Sequence, residues 1–216
     1  MLAAVLSVRD GRLHVLLWQR AQPPADGHWA LPGGVLGAGE SVEESVVRQL
    51  AEKVDVRDVA HHEQLAVFSD PHRRPGARRI ATAFLGLVPT DADPRVPADT
   101  AWCPTDALPV TAFDHGAIVA GAVERLRAKL SYTNIGFALA PPEFTISTLR
   151  ELYAASLGYD VDATNLQRFL TRRRQLEPTG GATASGPAGG RPASLYRFRT
   201  HRLAVTDEFV AFRPPR

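Results

Sequence analysis

The sequence has a single cysteine, Cys103, and only two lysines, Lys53 and Lys129, among 216 residues. One cysteine excludes a disulfide framework and any CxxC zinc ribbon. Long apolar runs are missing too. Stretches such as Met1 to Leu6 and Ile80 to Val88 fall far short of the ~20 residues that span a bilayer. No basic segment opens the chain, and Arg9 and Asp10 end the first apolar run too early for a signal peptide. These absences lead to the expectation of a soluble protein of the reducing cytoplasm with no membrane partner. Apolar residues make up 44% and charged residues 22%, close to the globular average, which excludes disorder throughout and collagen-like structure. The length suits one large domain or two small ones.

The net charge of +2 conceals a split. Through Leu130 there are 14 basic against 16 acidic residues, and from Ser131 onward 11 against 7. An excess of arginine confined to the second part suggests a polyanion partner for that part alone. A compositional bias toward arginine is the competing reading.

The first part alternates strand and helix signals. Leu2 to Val8 and Leu13 to Trp18 flank Asp10-Gly11 and predict a hairpin. Val42, Val46, Val47, Leu50 and Val54 recur at helical steps and predict a helix from Ser41 to Val54. Leu65 to Phe68 and Ile80 to Val88 read as strands, Pro89 to Asp99 as loop, and Asp114 to Leu130 as a second helix. That order predicts an α+β or α/β domain. In the second part, Tyr132 to Leu139 reads as a short helix. Thr145 caps a helix over Ile146 to Leu157, which Gly158 ends, and Asp162 caps one from Ala163 to about Arg174. A Gly-rich stretch, Thr179 to Ala193, precedes a strand from Ser194 to Arg199.

Gly34 is followed after five residues by Glu40, and seven residues later by Arg48-Gln49-Leu50-Ala51-Glu52-Lys53-Val54-Asp55-Val56. With Leu31-Pro32-Gly33-Gly34 ahead of it, this resembles the Nudix box, G-x5-E-x7-R-E-U-x-E-E-x-G-U, where U is apolar. In the family, carboxylates at positions 49, 52 and 53 share a helix face and gather magnesium, which neutralises a diphosphate and activates water. Here Gln49 and Lys53 replace two of them, and Asp55 replaces the glycine. An ammonium beside a divalent ion costs on the order of several kcal/mol. The expectation is therefore no catalytic residue and no required cofactor, with Glu52 the remaining magnesium candidate. Glu40 and Arg48 are expected to pair and fix loop against helix. An i, i+4 salt-bridge stripe through Glu44, Arg48 and Glu52 is the competing reading.

The resemblance implies a pocket for a nucleoside diphosphate derivative. Gly34, Glu40, Arg48 and Glu52 belong to its box, and Arg73, Arg74, Arg78 and Arg79 are placed to clamp the diphosphate. A solvated basic loop is the alternative for those arginines. Trp29 and Trp102 are candidates for base stacking, with core packing the favoured reading for each, and His61-His62-Glu63 is assigned mostly to the surface.

The two capped helices of the second part make a helix-turn-helix candidate. Leu166, Phe169 and Leu170 form its core face. Thr164, Arg168, Thr171, Arg172 and Gln175, with Asn165 at the edge, present residue types that read bases or hold phosphates. Arg173 and Arg174 suit phosphate contact, and Arg191 marks a wing tip. A basic helical hairpin is the competing reading.

Over its whole length the chain resembles the NrtR family, the Nudix-related transcriptional regulators of NAD biosynthesis. Ser131-Tyr132-Thr133-Asn134-Ile135-Gly136-Phe137-Ala138-Leu139, Phe144-Thr145, Leu149-Arg150, Leu152-Tyr153, Asn165-Leu166 and Gly190-Arg191-Pro192-Ala193-Ser194-Leu195-Tyr196-Arg197-Phe198 carry the likeness. The family implies a Nudix fold, with a mixed sheet between helices, over 1–130 and a winged helix-turn-helix over 131–216. It also implies a homodimeric repressor of NAD synthesis genes, a palindromic double-stranded operator, and ADP-ribose or a related nucleotide as effector. The alternatives are an ADP-ribose pyrophosphatase with a weakened site and a Nudix scaffold for a protein partner. The junction from Lys129 to Asn134 is expected to couple the domains. Lys129 is read either as a phosphate-attracting charge or as a cation offsetting the helix C-terminal dipole.

Overall fold

Period-two alternation in the strands gives one sheet two buried faces. The computed structural model describes residues 1–92, 94–183 and 192–207. In it β1 (Leu2–Arg9) and β2 (Arg12–Gln19) form the expected hairpin. Asp10 and Gly11 have φ of 48° and 71°, which an Asp-Gly turn adopts at low cost. β3 (Trp29–Ala30) and β6 (Thr100–Pro104) both pair with β2. β5 (Ala81–Leu87) runs parallel to β1, and β4 (His61–Phe68) forms the far edge. The sheet is thus mixed, as expected. Neither β3 nor β6 was expected, and β4 starts four residues before Leu65.

Ala3, Val5, Leu16 and Phe84 meet α1 (Val42–Val54) at Val46, Leu50 and Val54. Ala4, Leu6, Val15, Leu17 and Leu85 meet α2 (His115–Tyr132) at Ile118, Ala122, Leu126 and Leu130. α1 begins in a capping box. The Glu44 amide donates to Ser41 Oγ at 3.2 Å, and the Ser41 amide to the Glu44 carboxylate at 2.8 Å. Glu44 is therefore a cap, not part of a charge stripe. Asp55 ends the helix at φ 52°, a left-handed position where Asp is among the few tolerated residues besides glycine.

α2 runs two residues past Leu130. A 3₁₀ turn (Ile135–Ala138) follows, where a longer helix was expected. Then come α3 (Ile146–Leu157), capped by Thr145 and closed by Gly158 at φ 82°, and α4 (Ala163–Arg172), capped by Asp162. β7 (Leu176–Ala182) and β8 (Ser194–Phe198) form a hairpin wing. β7 takes in Pro178 and the start of the Gly-rich stretch.

Both units share one core. Phe137, Leu149, Leu152, Leu166, Leu170 and Phe198 lie in the same buried cluster as Ile118 and Leu126. Leu126→Ala should cost about 2–5 kcal/mol, read as a lower urea midpoint for the whole chain. An unchanged midpoint would contradict this shared core.

Candidate functional site

Between the ends of β2, β3 and β5 and the first turn of α2 lies an open cleft of about 990 Å³. Its wall includes the backbone of Gly33 and Gly34 and the cationic side chains of Arg20, Lys53, Arg73, Arg74 and Arg79. Trp18 and Phe113 supply aromatic surface. The guanidiniums of Arg20 and Arg74 lie 5.3 and 4.9 Å from the Phe113 ring centre. Phe113 itself has φ 54°, a strained backbone for a bulky residue and of a kind that clusters at ligand sites. Burial, then repulsion from Arg79, lowers the pKa of Arg74. So many cations around one cavity, with Asp114 paired to Arg73 alone, favour an anion.

Of the four loop arginines, Arg73, Arg74 and Arg79 reach the cleft wall and Arg78 does not; it stands exposed outside. Arg73 is already engaged. Its Nε and Nη2 donate to the two Asp114 carboxylate oxygens at 2.9 and 2.7 Å. Trp29 and Trp102 pack against the cores, the favoured reading for each over base stacking. Trp29 pairs with Gln19 in the sheet, and Trp102 lies under Arg9, whose guanidinium is 4.5 Å from its ring. Trp18 is the tryptophan at the cleft. Sequence reasoning passed over Trp18, Arg20, Phe113, Asp114 and His115. Their separation along the chain hides a cluster that only the sheet assembles.

The Nudix helix holds its loop as expected. Arg48 donates to Glu40 from Nε at 2.8 Å and Nη2 at 2.6 Å, and to Glu52 from Nη1 at 2.9 Å. Hydrogen bonds from Arg48 and then from the Gly37 amide bring the Glu40 pKa to about 2. Glu40, Arg48 and Glu52 brace the wall from behind and are not on it. Gln49 is buried and donates to the Val35 carbonyl at 3.3 Å. Its amide fills the space where a Cβ on Gly34 would stand, 2.3 Å from Oε1, which explains the glycine. Lys53 donates to the Gly33 carbonyl at 2.5 Å. An amide, a carboxylate already held by arginine and an ammonium do not fit a hard divalent cation, which wants several oxygen ligands. Among the described residues no cluster of three His, Cys, Asp or Glu side chains is placed to bind a metal.

The second candidate surface is on α4. Thr164, Asn165, Arg168, Thr171 and Arg172 are exposed together, and Arg174 just past the helix is exposed at φ 54°. Arg168 Nη2 donates to Asn165 Oδ1 at 2.7 Å, which presets its guanidinium. Two expected members turn inward instead. Arg173 donates to the Ser131 carbonyl and to Asp207, and its guanidinium lies 3.9 Å from the Phe169 ring centre. Gln175 is buried and donates to Thr133 O and Thr206 Oγ1. The segment 200–207 folds back and covers this side of the helix end, which no local pattern announces. Arg191, the wing-tip candidate, lies outside the described residues.

Lys129 differs from expectation in part. It stands in the last turn of α2, where a cation offsets the helix dipole, and it also pairs with Glu63 on β4 at 2.9 Å and is largely buried, a partner the sequence did not announce. Glu63 further accepts from His61 at 3.0 Å and Arg125 at 3.1 Å. Burial raises the Glu63 pKa, but these donors outweigh it and bring it to about 2. His61 and Glu63 are thus part of a partly buried polar cluster, while His62 is exposed as expected. The junction itself is tied by Asn134, which accepts from the Ala204 amide at 2.7 Å and donates to Arg202 O at 2.9 Å.

Comparison with known proteins agrees with this layout. Residues 1–122 match the NUDIX domain, and residues 136–198 match the NrtR DNA-binding winged helix domain. The ADPR responsive transcriptional repressor NtrR of Acinetobacter baylyi is 33% identical over 204 residues, which is 90% of this chain and 79% of that protein. Shewanella oneidensis NrtR complexed with a 27mer DNA is 30% identical, with a TM-score of 0.77 over 92% of both chains. The NUDIX domain of that protein complexed with ADP ribose is 32% identical, with a TM-score of 0.51, covering 58% of this chain and 85% of that one. The expected Nudix fold and winged helix are both present. Among the described residues no helix is long and apolar enough to cross a membrane.

His115 forms part of the cleft wall and holds its shape. Its Nδ1 accepts from the Leu31 amide at 2.9 Å, so the neutral ring is required. Burial first, against partial support from Asp114, brings its pKa down to about 4 from 6.5. The unfolded chain therefore binds the proton first as pH falls, and stability contributed by the neutral ring is full above pH 6.5 and lost toward pH 4. That loss should amount to about 3 kcal/mol. His115→Asn keeps an acceptor for Leu31, so its urea midpoint should fall less between pH 6.5 and 5 than that of the parent. Equal slopes would show that His115 does not set this dependence.

Proposed function

This chain belongs to the NrtR family of Nudix-related transcriptional regulators, and on that premise we propose that it represses NAD biosynthesis genes in response to ADP-ribose or a related nucleotide. In this reading residues 1–130 hold the effector and residues 131–216 hold operator DNA. One observation carries it. A single chain joins a cationic cleft that has lost its metal-binding carboxylates to an exposed Arg168–Arg172 face on the second helix of a helix-turn-helix. The cleft can attract a diphosphate through Arg74 and Arg79 and offer Phe113 or Trp18 to its apolar parts. Gln49 and Lys53 leave no means of activating water with magnesium, so binding proceeds without efficient hydrolysis.

The protein works as a cytoplasmic homodimer in this proposal. One helix reads too few bases for repressor specificity, so two copies bind half-sites of a palindrome one helical turn apart, ~10 base pairs, or a multiple of it. Sedimentation of the protein on its operator should give two chains per duplex, and a single chain would contradict this.

A mobility-shift assay on the DNA upstream of NAD synthesis genes, with and without ADP-ribose, tests the whole reading. Arg168→Ala and Arg172→Ala should each cost ~1–3 kcal/mol of specific binding, and unchanged affinity in both would remove α4 as the reading helix. Purified protein should release little AMP from ADP-ribose in magnesium. Brisk release would instead favour the pyrophosphatase reading.

A further inference from the structure

The Arg73–Asp114 pair joins the cleft to the helix that leads out of it. Asp114 is the N-cap residue of α2, yet its side chain caps no helix amide. Both carboxylate oxygens are given to Arg73, whose side chain lies on the cleft wall and is only 7% exposed. The first amides of a helix lack internal partners, and an aspartate at the N-cap is among their best acceptors. Asp114 therefore has two competing uses. It can hold Arg73, or it can turn and cap α2.

We propose that Asp114 is the effector-responsive positioning residue of this protein: a diphosphate in the cleft takes Arg73 from Asp114, and the freed carboxylate re-seats the start of α2. This inference rests on the reading of the cleft as a diphosphate site. Phosphate oxygens compete well for a guanidinium because they offer the same bidentate geometry as a carboxylate with more charge. Arg20, Arg74 and Arg79 stand on the same wall, so the incoming charge is attracted before Arg73 changes partner. The first turn of α2 is also tied to the wall by His115 and Leu31, so a change at Asp114 is felt by loop and helix together. At its other end, α2 passes directly into Thr133 and Asn134. There the Thr133 carbonyl accepts from Gln175 and the Ser131 carbonyl from Arg173, both at the end of α4. A displacement of α2 along its axis thus reaches the DNA-facing helix through hydrogen bonds already in place.

The test uses the full chain. Asp114→Asn keeps a capping side chain but lacks the charge that holds Arg73, so it should bind ADP-ribose roughly tenfold tighter, the size of one charge-assisted hydrogen bond. Arg73→Met should bind it more weakly. Without ligand, both variants should already show the DNA affinity that the parent shows with ligand, and the ratio of DNA affinities with and without ADP-ribose should fall toward one. Opposite shifts in ligand affinity with the same shift in DNA affinity are not what simple loss of fold produces. A thermal melt excludes that cause, and Asp114→Ser repeats the test should the asparagine variant melt early. Parent-like ligand affinity and an unchanged ratio in Asp114→Asn, with the parent binding both ADP-ribose and DNA, would overturn the switch alone. A parent that binds no ADP-ribose would overturn the cleft reading and this inference with it.

Discussion

α2 has one side sealed against the sheet at Ile118, Ala122, Leu126 and Leu130, and its two ends are held by different parts of the chain. Its first turn meets the cleft through Asp114 and His115. Midway and beyond, Arg125 and Lys129 fasten it to β4 through Glu63. Its last turn delivers Tyr132, Thr133 and Asn134 to the strand-like return of residues 202–206. A helix bonded internally along 18 residues bends little, so movement at one end must appear at the other. The partly buried Glu63 cluster holds the helix against the sheet between its two ends, and removing one cation would leave its carboxylate poorly neutralised.

The degenerate box follows from the same economy of contacts. A Nudix loop needs a rigid brace between loop and helix, and Glu40–Arg48–Glu52 still provides it. What changes is the inner side, where Gln49 packs against Gly34 and Lys53 binds the Gly33 carbonyl. These contacts replace a metal-filled space with direct side-chain bonds to the loop. Lys53 adds to the positive charge facing the cleft.

The readable parts of the sequence are those governed by neighbours in the chain. Asp10-Gly11 gives its hairpin, and Ser41, Thr145 and Asp162 each cap the helix that follows them. Glu40 and Arg48 pair because eight residues across a loop and a helix start bring them together. The misread residues are decided by distant partners. Gln175 and Arg173 have the chemistry of DNA contacts, but Thr206 and Asp207 claim them. Lys129 sits in the last turn of its helix, where the dipole argument applies, and what the sequence hides is its partner Glu63 on an edge strand. β3 is two residues long, too short for any periodicity. Phe113 and Arg20 reach the same cleft only because β2 and the turn before α2 end on the same side of the sheet.

Charge alone cannot connect the two sites. In the second unit Arg150 pairs with Asp160 and Arg197 with Glu177, while Arg173 pairs with Asp207. Arg168, Arg172, Arg174, Arg199 and Arg202 show no carboxylate partner among the described residues, and the first three stand on or just beyond the exposed face of α4. Part of the positive excess of the second unit therefore lies where a phosphate backbone would meet it. The cleft cations gather at the opposite end of α2, a separation of roughly 27 Å at 1.5 Å per residue. Exposed charges that far apart are screened at physiological salt, where the Debye length is about 8 Å. A bound diphosphate thus cannot weaken or strengthen phosphate attraction at α4 through its own field. Under the proposed switch, what passes between the sites passes as displacement, along the helix that connects them.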